Sequence, residues 1–434
     1  MTTSESRLNQ TACTVHLHEL MRSYYQSLGE AAADPNRRVA WCSSIGPAEL
    51  LWALDFEVYF PENHGAMLGA SRMAAQTIPL AVAAGYSPEI CSYLTSDIGA
   101  HIKGVTPLSR SHGLPEPPRP DVIVFNNNQC REVQDWFTYY ARLWSVPLVG
   151  VHSPRVINRV KTSHLDDVVS QLKDLVPALE RVGGKRLEPE RLVEAVGLSR
   201  QCTGLWRKVL EFSAHRPAPL TFFDHCVHMA PAVVLRGTSQ AVEYYRLLLD
   251  ELEQKTAHGQ AAVPGERWRL YWDGMPVWGR LRMLSDTFAH LETAVTASTY
   301  CNSWLFEALD PDDPWRSMAR ASLECFNVRD EAFKEDYLIH WVELCGAQGV
   351  VFHDARTCPY NTNSRFGLHR RIQHRYGIPT LVLDGDLNDL RCFSEQQTVT
   401  NLEAFVEQLA GPANGECMDQ AALSGRPLAQ DVLI

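Results

Sequence analysis

No Cys-x-x-Cys pair occurs anywhere in the 434 residues, although the chain carries twelve cysteines. That absence removes zinc ribbons, the thioredoxin motif and the ferredoxin cysteine run. A metal site built from these thiols must gather cysteines that lie far apart in sequence. A Walker A loop, a dinucleotide glycine fingerprint, a His-Glu-x-x-His pair and a Gly-x-Ser-x-Gly elbow are also missing, so the chain does not hydrolyse ATP by a P-loop and shows no hydrolase triad. Lys and Arg form no block and the formal charge is −11, which argues against a nucleic acid or an anionic membrane as partner. Apolar runs such as Ile78 to Ala84 are far too short to span a bilayer. Residues 1–20 lack the basic and apolar regions of a signal peptide. The expected location is therefore the cytoplasm, where stable disulfides are not expected and cysteines serve packing or ligation.

Apolar residues make up 45% and charged residues 21%, an ordinary soluble composition with ample area to bury. The length exceeds what one core usually supports. Short apolar runs ending in small or polar residues mark buried parallel strands at Arg38 to Ser43, Asp121 to Asn126, Pro147 to His152, Ala294 to Thr299, Gly349 to His353 and Pro379 to Asp384. Arg267 to Trp272 alternates and is a weaker candidate. Between the two strand groups, Leu165, Val168, Val169, Leu172 and Leu175, and later Tyr244, Leu247, Leu248 and Leu252, recur at helical spacing. Glu253 to Glu266 reads as a linker by composition. The expected fold is α/β, with two open, mainly parallel-sheet, Rossmann-like domains joined by a helical segment. The boundaries fall at 1–160 for the first domain, 161–262 for the helical connector and 263–434 for the second domain.

Cys130 directly follows the run DVIVFNNNQ, and Cys358 follows GVVFHDART within a few residues of its strand. Ligands in open α/β sheets gather outside the carboxyl ends of strands, so both thiols stand where a cofactor could lie. Cys42 also closes a strand, so position alone does not single out a set, and Cys91 sits in a helix-like stretch after Pro88. Each cysteine taken alone is more often a small buried hydrophobe than a ligand. His225, Cys226 and His228 resemble a compact metal triad. His16 and His18 read as solvent-facing. Asp384, Asp386, Asn388 and Glu395 mimic EF-hand positions, but Asp389 stands where the turn needs glycine, which leaves a strand-end acidic loop. Gly65 and Gly69 read as sites of close helix packing.

Segments spread through most of the chain beyond about residue 40 set the cysteines in context. They are EICSYLTSDIGAHIKG around Cys91, PDVIVFNNNQC ending at Cys130, VVLRGTSQAVEYYRLLLDELE in the helical stretch, RLYWDGMPVW from Arg269, and the long run from Arg356 beginning RTCPYNTNSRFG. On these the chain resembles the benzoyl-CoA reductase and 2-hydroxyacyl-CoA dehydratase family, particularly the larger cluster-bearing reductase subunit. The resemblance implies that Cys91, Cys130 and Cys358 bind a [4Fe-4S] cluster with one iron left open, since four cysteines are the usual closed set. It implies an anaerobic enzyme that reduces an aromatic or 2-hydroxyacyl CoA thioester by one low-potential electron. That electron comes from an ATP-hydrolysing iron–sulfur activase, and a related second cluster subunit pairs with this one. Protonating a reduced ring or releasing a hydroxyl needs a positioned acid, for which Glu49 and His64 are the candidates. The reading leans to a reductase; a dehydratase, and a scaffold or electron-transfer subunit whose cluster never meets substrate, are the alternatives. A zinc or mononuclear-iron site at His225, Cys226 and His228 is a third.

Overall fold

Runs of β-branched residues without charge cannot be left half-wet, so they pair where both faces are covered by helices. The computed structural model describes residues 13–411 and places two such sheets in the chain. The first joins β1 (Arg38–Cys42), β2 (Phe56–Tyr59), β3 (Val122–Asn126) and β4 (Leu148–Val151) in the order β2-β1-β3-β4. The second joins β5 (Trp268–Asp273), β6 (Thr293–Ser298), β7 (Gly349–Ala355) and β8 (Thr380–Gly385) in the order β6-β5-β7-β8. Every strand pair is parallel. The fold is thus α/β with two parallel-sheet halves, as expected. β5, the weaker sequence candidate, is a central strand that pairs on both sides. β2 escaped the sequence reading because it is four residues long and carries Glu57. Among the described residues no helix is long and apolar enough to cross a membrane.

Residues 161–262 form the helices Thr162–Gly183, Pro189–Glu211, Phe222–His228, Ala230–Val234 and Ser239–Ala257. They are not a free-standing spacer. Thr162–Gly183 lies along β4, Pro189–Glu211 packs on Ala48–Ala53, and Phe222–His228 packs on β6 of the second sheet. Large side chains close both halves: Trp41 and Trp136 in the first, Trp272 and Trp341 in the second, with Trp206 of Pro189–Glu211 between them, all essentially fully buried.

The two halves meet at the turn that follows β8. Asp386 is fully buried there, and its carboxylate accepts five hydrogen bonds, from Ser92 Oγ, Thr357 N, Thr357 Oγ1, Asn388 N and Asp389 N. Ser92 belongs to the first half and Thr357 to the loop after β7, and Ser92 N also donates to Thr357 Oγ1 at 3.0 Å. Asn388 reaches further, donating from Nδ2 to Gly65 O at 2.8 Å and to Ser96 Oγ at 3.0 Å. The close approach needs the glycines. A Cβ on Gly69 would stand 1.9 Å from Asn388 Oδ1, and one on Gly65 2.9 Å from the Tyr93 ring. The acidic loop after β8 is therefore a hydrogen-bonded knot between the halves rather than a solvated turn.

Removing a buried charged acceptor strands all of its donors at once. Asp386→Ala is expected to destabilise the chain by about 3 kcal/mol or more, read as a shift in the urea midpoint. A cost under about 0.5 kcal/mol, typical of an exposed position, would show that the knot holds nothing.

Candidate functional site

Cys91 and Cys358 flank this knot on its two strands of chain, each one residue from a group that Asp386 or Thr357 holds. Cys91 is the N-cap of the Ser92–Lys103 helix, Cys130 lies at the mouth of the Glu132–Trp144 helix, and Cys358 opens a single 3₁₀ turn, Pro359–Asn361. All three are partly buried. Each sulfur is close enough to the others that the charge on one acts on its neighbours: Cys130 feels both Cys91 and Cys358, and Cys358 feels Cys91. Three thiols separated by 39 (130 − 91) and 228 (358 − 130) positions thus lie near enough to act on one another electrostatically.

Burial pushes all three thiols up, Cys91 to about 12 and the other two further still, with mutual repulsion adding to it. Backbone N–H groups work in the opposite direction: Tyr93 and Leu94 act on Cys91, Val133 on Cys130 and Asn361 on Cys358. Each sulfur therefore sits at the start of a helical turn whose N–H groups favour the thiolate. That is the donor set an iron–sulfur cluster needs, since its ligands are thiolates and hydrogen bonds to sulfur stabilise them. Among the described residues no three His, Cys, Asp or Glu side chains are gathered tightly enough for a single metal ion. A lone ion at ~2.3 Å bonds draws its thiolates almost into contact, whereas a cubane spreads them over separate irons. Cys91, Cys130 and Cys358 would be the residues to hold the larger group.

Beyond the thiols runs a chain of polar aromatic groups. Tyr93 lies in electrostatic contact with Cys91 and Cys358, accepts from Trp278 Nε1, and is hydrogen-bonded to Tyr300. Tyr300 in turn feels the charge of Glu62. Glu62 is 6% exposed; Ser44 N donates to its Oε1 at 3.0 Å, while its Oε2 is buried without a partner. Burial holds this carboxyl up at about 7, against the pull of the Ser44 backbone and side chain and of Arg236. A buried acid poised near neutrality, with one free oxygen, is the arrangement proton transfer requires.

This geometry has relatives. The family model described as "2-hydroxyglutaryl-CoA dehydratase, D-component" matches residues 43–409. The chain belongs to this family. It is 26% identical over 390 residues to the (R)-phenyllactyl-CoA dehydratase alpha subunit of Clostridium sporogenes, covering 89% of this chain and 93% of that protein. It is 27% identical to the (R)-2-hydroxyisocaproyl-CoA dehydratase alpha subunit of Clostridioides difficile, over 91% and 95% of the two chains. It is also 27% identical to a subunit of the benzoyl-CoA reductase of Thauera aromatica, over 86% and 89%. These relatives are subunits of enzymes named for CoA thioesters, which agrees with the resemblance read from the cysteine segments.

Within this dehydratase-family fold the two acid candidates chosen from sequence stand apart from the relay. Glu49 Oε1 accepts from Arg236 Nε at 3.1 Å and from Ser199 Oγ at 2.8 Å, a buried ion pair that also fixes Arg236 on the carbonyls of Ser44 and Gly46. His64 is 1% exposed and has both ring nitrogens engaged, by Asp97 and by Thr106 Oγ1. Asp97 is held from its other oxygen by Trp136 and Tyr140. Both residues are tied into buried hydrogen-bond networks. His225, Cys226 and His228 do not converge: His225 meets Ser213, His228 meets Tyr244, and Cys226 meets Cys301 with sulfurs 3.8 Å apart. His16 and His18 are exposed. Glu62 escaped the sequence reading because a glutamate after Pro61 looks like any first-turn acid; only the packed fold buries it.

The raised pKa fixes a sign. Between about pH 4.5 and 7 the folded chain keeps a proton on Glu62 that the unfolded chain has released, so its contribution is full below 4.5 and lost as pH rises through 7. Glu62→Gln, neutral throughout, is expected to be more stable than the wild type at about pH 8, by up to about 3 kcal/mol, with the gap closing near pH 5. Urea titrations at the two pH values check this; an equal gap at both would remove burial of the charge as its cause.

Proposed function

We propose that this chain is the cluster-bearing subunit of a 2-hydroxyacyl-CoA dehydratase, holding a [4Fe-4S] cluster through Cys91, Cys130 and Cys358. The observation that carries the choice of reaction is Glu62, a buried carboxyl held near neutral pKa and linked through Tyr300 and Tyr93 to the cysteines. Loss of water from a 2-hydroxyacyl thioester breaks a C–O bond at C2 and a C–H bond at C3, so a proton must be taken up and given back in a site sheltered from solvent. Glu62 populates both protonation states near pH 7 and suits that duty. The hydroxyls of Tyr93 and Tyr300 orient the substrate's oxygen atoms, and the buried rings of Tyr93 and Trp278 exclude water. The cluster, when bound, supplies a low-potential electron and a Lewis-acidic iron.

Two partners follow from the reading. The absence of a P-loop in this chain calls for a separate ATP-hydrolysing iron–sulfur activase as electron donor. A related second cluster subunit completes the enzyme, in keeping with relatives that are themselves named alpha subunits. Benzoyl-CoA reduction is the second reading, favoured by the rings of Tyr93, Trp278 and Tyr300, which would grip a flat substrate, and by the 27% identity to a reductase subunit.

Anaerobically purified wild-type chain is expected to carry near four irons and four acid-labile sulfides. Cys91→Ala, Cys130→Ala and Cys358→Ala should each lose most of the iron, whereas Cys13→Ala should keep it; full iron in all four variants would sink the ligand assignment. Cys417, a further control chosen from sequence, lies outside the described residues. The reaction is checked by turnover of the complex with its activase, ATP and a strong reductant. Dehydration of a 2-hydroxyacyl-CoA is expected, slowed at least about a hundredfold in Glu62→Gln. Consumption of benzoyl-CoA without any dehydration would move the protein to the reductase reading.

A further inference from the structure

The donors to Asp386 come from the segments of Cys91 and Cys358 and from the turn after β8, and none of them from the segment of Cys130. The knot therefore sets two of the three thiols and leaves the third to other contacts. Arg155, half-buried in the loop after β4, supplies such a contact. Its Nη1 donates to Asn127 O at 2.9 Å, and its Nη2 to Gln129 O and to Asn327 O, each at 3.3 Å. Asn127 and Gln129 belong to the turn that ends at Cys130, and Gln129 O also accepts from Asn327 Nδ2 at 3.3 Å. The guanidinium carbon stands 4.5 Å from the centroid of the Tyr360 ring, and Tyr360 lies two positions beyond Cys358. One side chain thus meets the Cys130 turn with its N–H edge and the Cys358 turn with its face.

The ordinary explanation is an arginine that satisfies loop carbonyls near the surface. That duty asks only for donors and would end at the carbonyls. Here the N–H groups go to two separate segments and the planar face to a third. That combination is open to a guanidinium and closed to an ammonium, which is a single point charge without a face. The next residue gives a second, independent sign. Val156 has φ 58° and is 76% exposed. A β-branched side chain in the left-handed region costs free energy, and at this exposure its own packing returns little of it. Such strain persists where surrounding contacts over-determine the backbone. Those contacts are Arg155 on one side and Ile157 on the other, whose N donates to Val328 O at 2.8 Å and whose O accepts from Asp330 N at 3.1 Å. The chain is bent at Val156 between two anchors, and one anchor is the link between the cysteine turns.

We propose that Arg155 is a positioning residue that clamps the Cys130 turn against the Cys358 turn, completing for the third thiol what Asp386 does for the other two. The inference rests on the three-cysteine reading above and goes beyond it. The test takes the full chain in two forms, both prepared without oxygen. In chain stripped of iron, a short bifunctional thiol reagent is added and the linked peptides are measured by mass spectrometry. The Cys130–Cys358 link, relative to the Cys91–Cys358 link in the same sample, is expected to fall about fivefold in Arg155→Met, the worth of roughly one net hydrogen bond. Arg155→Lys, which keeps the charge but neither the fork nor the face, is expected to fall as far. In cluster-loaded chain, both variants are expected to shift the g values of the dithionite-reduced cluster in electron paramagnetic resonance. An unchanged link ratio in Arg155→Met overturns the proposal, including the case in which both links weaken together through a general loss of stability. A wild-type ratio in Arg155→Lys, or unchanged g values in both loaded variants, overturns it as well. Where a variant holds no cluster, the link ratio decides alone. A wild-type chain without cluster iron overturns the three-cysteine reading, and the proposal with it.

Discussion

One buried carboxylate holds the site together. Asp386 is sealed from water, and its carboxyl is tolerated in the interior because donors from three separate segments converge on it. Those segments carry Ser92 beside Cys91, Thr357 beside Cys358, and the turn after β8 that also delivers Asn388 onto Gly65 and Ser96. Satisfying the charge and setting the relative position of the two halves are the same event. The distance between Cys91 and Cys358 is then a by-product of a hydrogen-bond requirement, which is a more exacting constraint than apolar contact because a misplaced donor leaves the carboxylate short of a partner.

Around that knot the electrostatics are arranged in opposition. Burial and mutual repulsion keep Cys91, Cys130 and Cys358 protonated, while the N–H groups at three helical starts favour their anions. Thiols balanced in this way ionise when a positive centre arrives and not before. The relay through Tyr93 and Tyr300 to Glu62 extends the same balance of charge: the carboxyl gains little from ion pairing, because Arg236, the nearby cation, is committed to Glu49 and two backbone carbonyls. Glu49 thereby leaves Glu62 poised, without touching the relay itself.

Much of the fold was legible in the sequence because local pattern and tertiary role coincide in parallel sheets. β1, β3, β4, β6, β7 and β8 are written as apolar runs, since a strand covered on both faces has no use for polar residues. β2 was hidden by its brevity and its glutamate, and β5 by Arg269, which the fold buries: it directs its charge onto Glu266 and onto backbone carbonyls. The site was legible to a lesser degree. Cysteines in recognisable segments pointed to one location, but Glu62 did not stand out, because what distinguishes it from Glu49 is a partner nearly two hundred residues away. Arg236 neutralises one carboxylate and not the other, and no spacing in the chain announces that choice.

The knot also sets a timetable. Cys91 and Cys130 leave the ribosome long before the carboxylate that fixes their surroundings, since Asp386 follows Cys91 by 295 (386 − 91) residues. At ~5–20 residues per second that interval is roughly 15 to 60 s. Through it the first sheet can form while its thiols wait without the third cysteine or the group that sets their geometry. On the proposed three-cysteine reading, a cofactor is seated only in a chain that has already made β8, and a nascent or truncated product ending before that strand has no completed seat for it. On that reading, maturation follows synthesis of the second sheet.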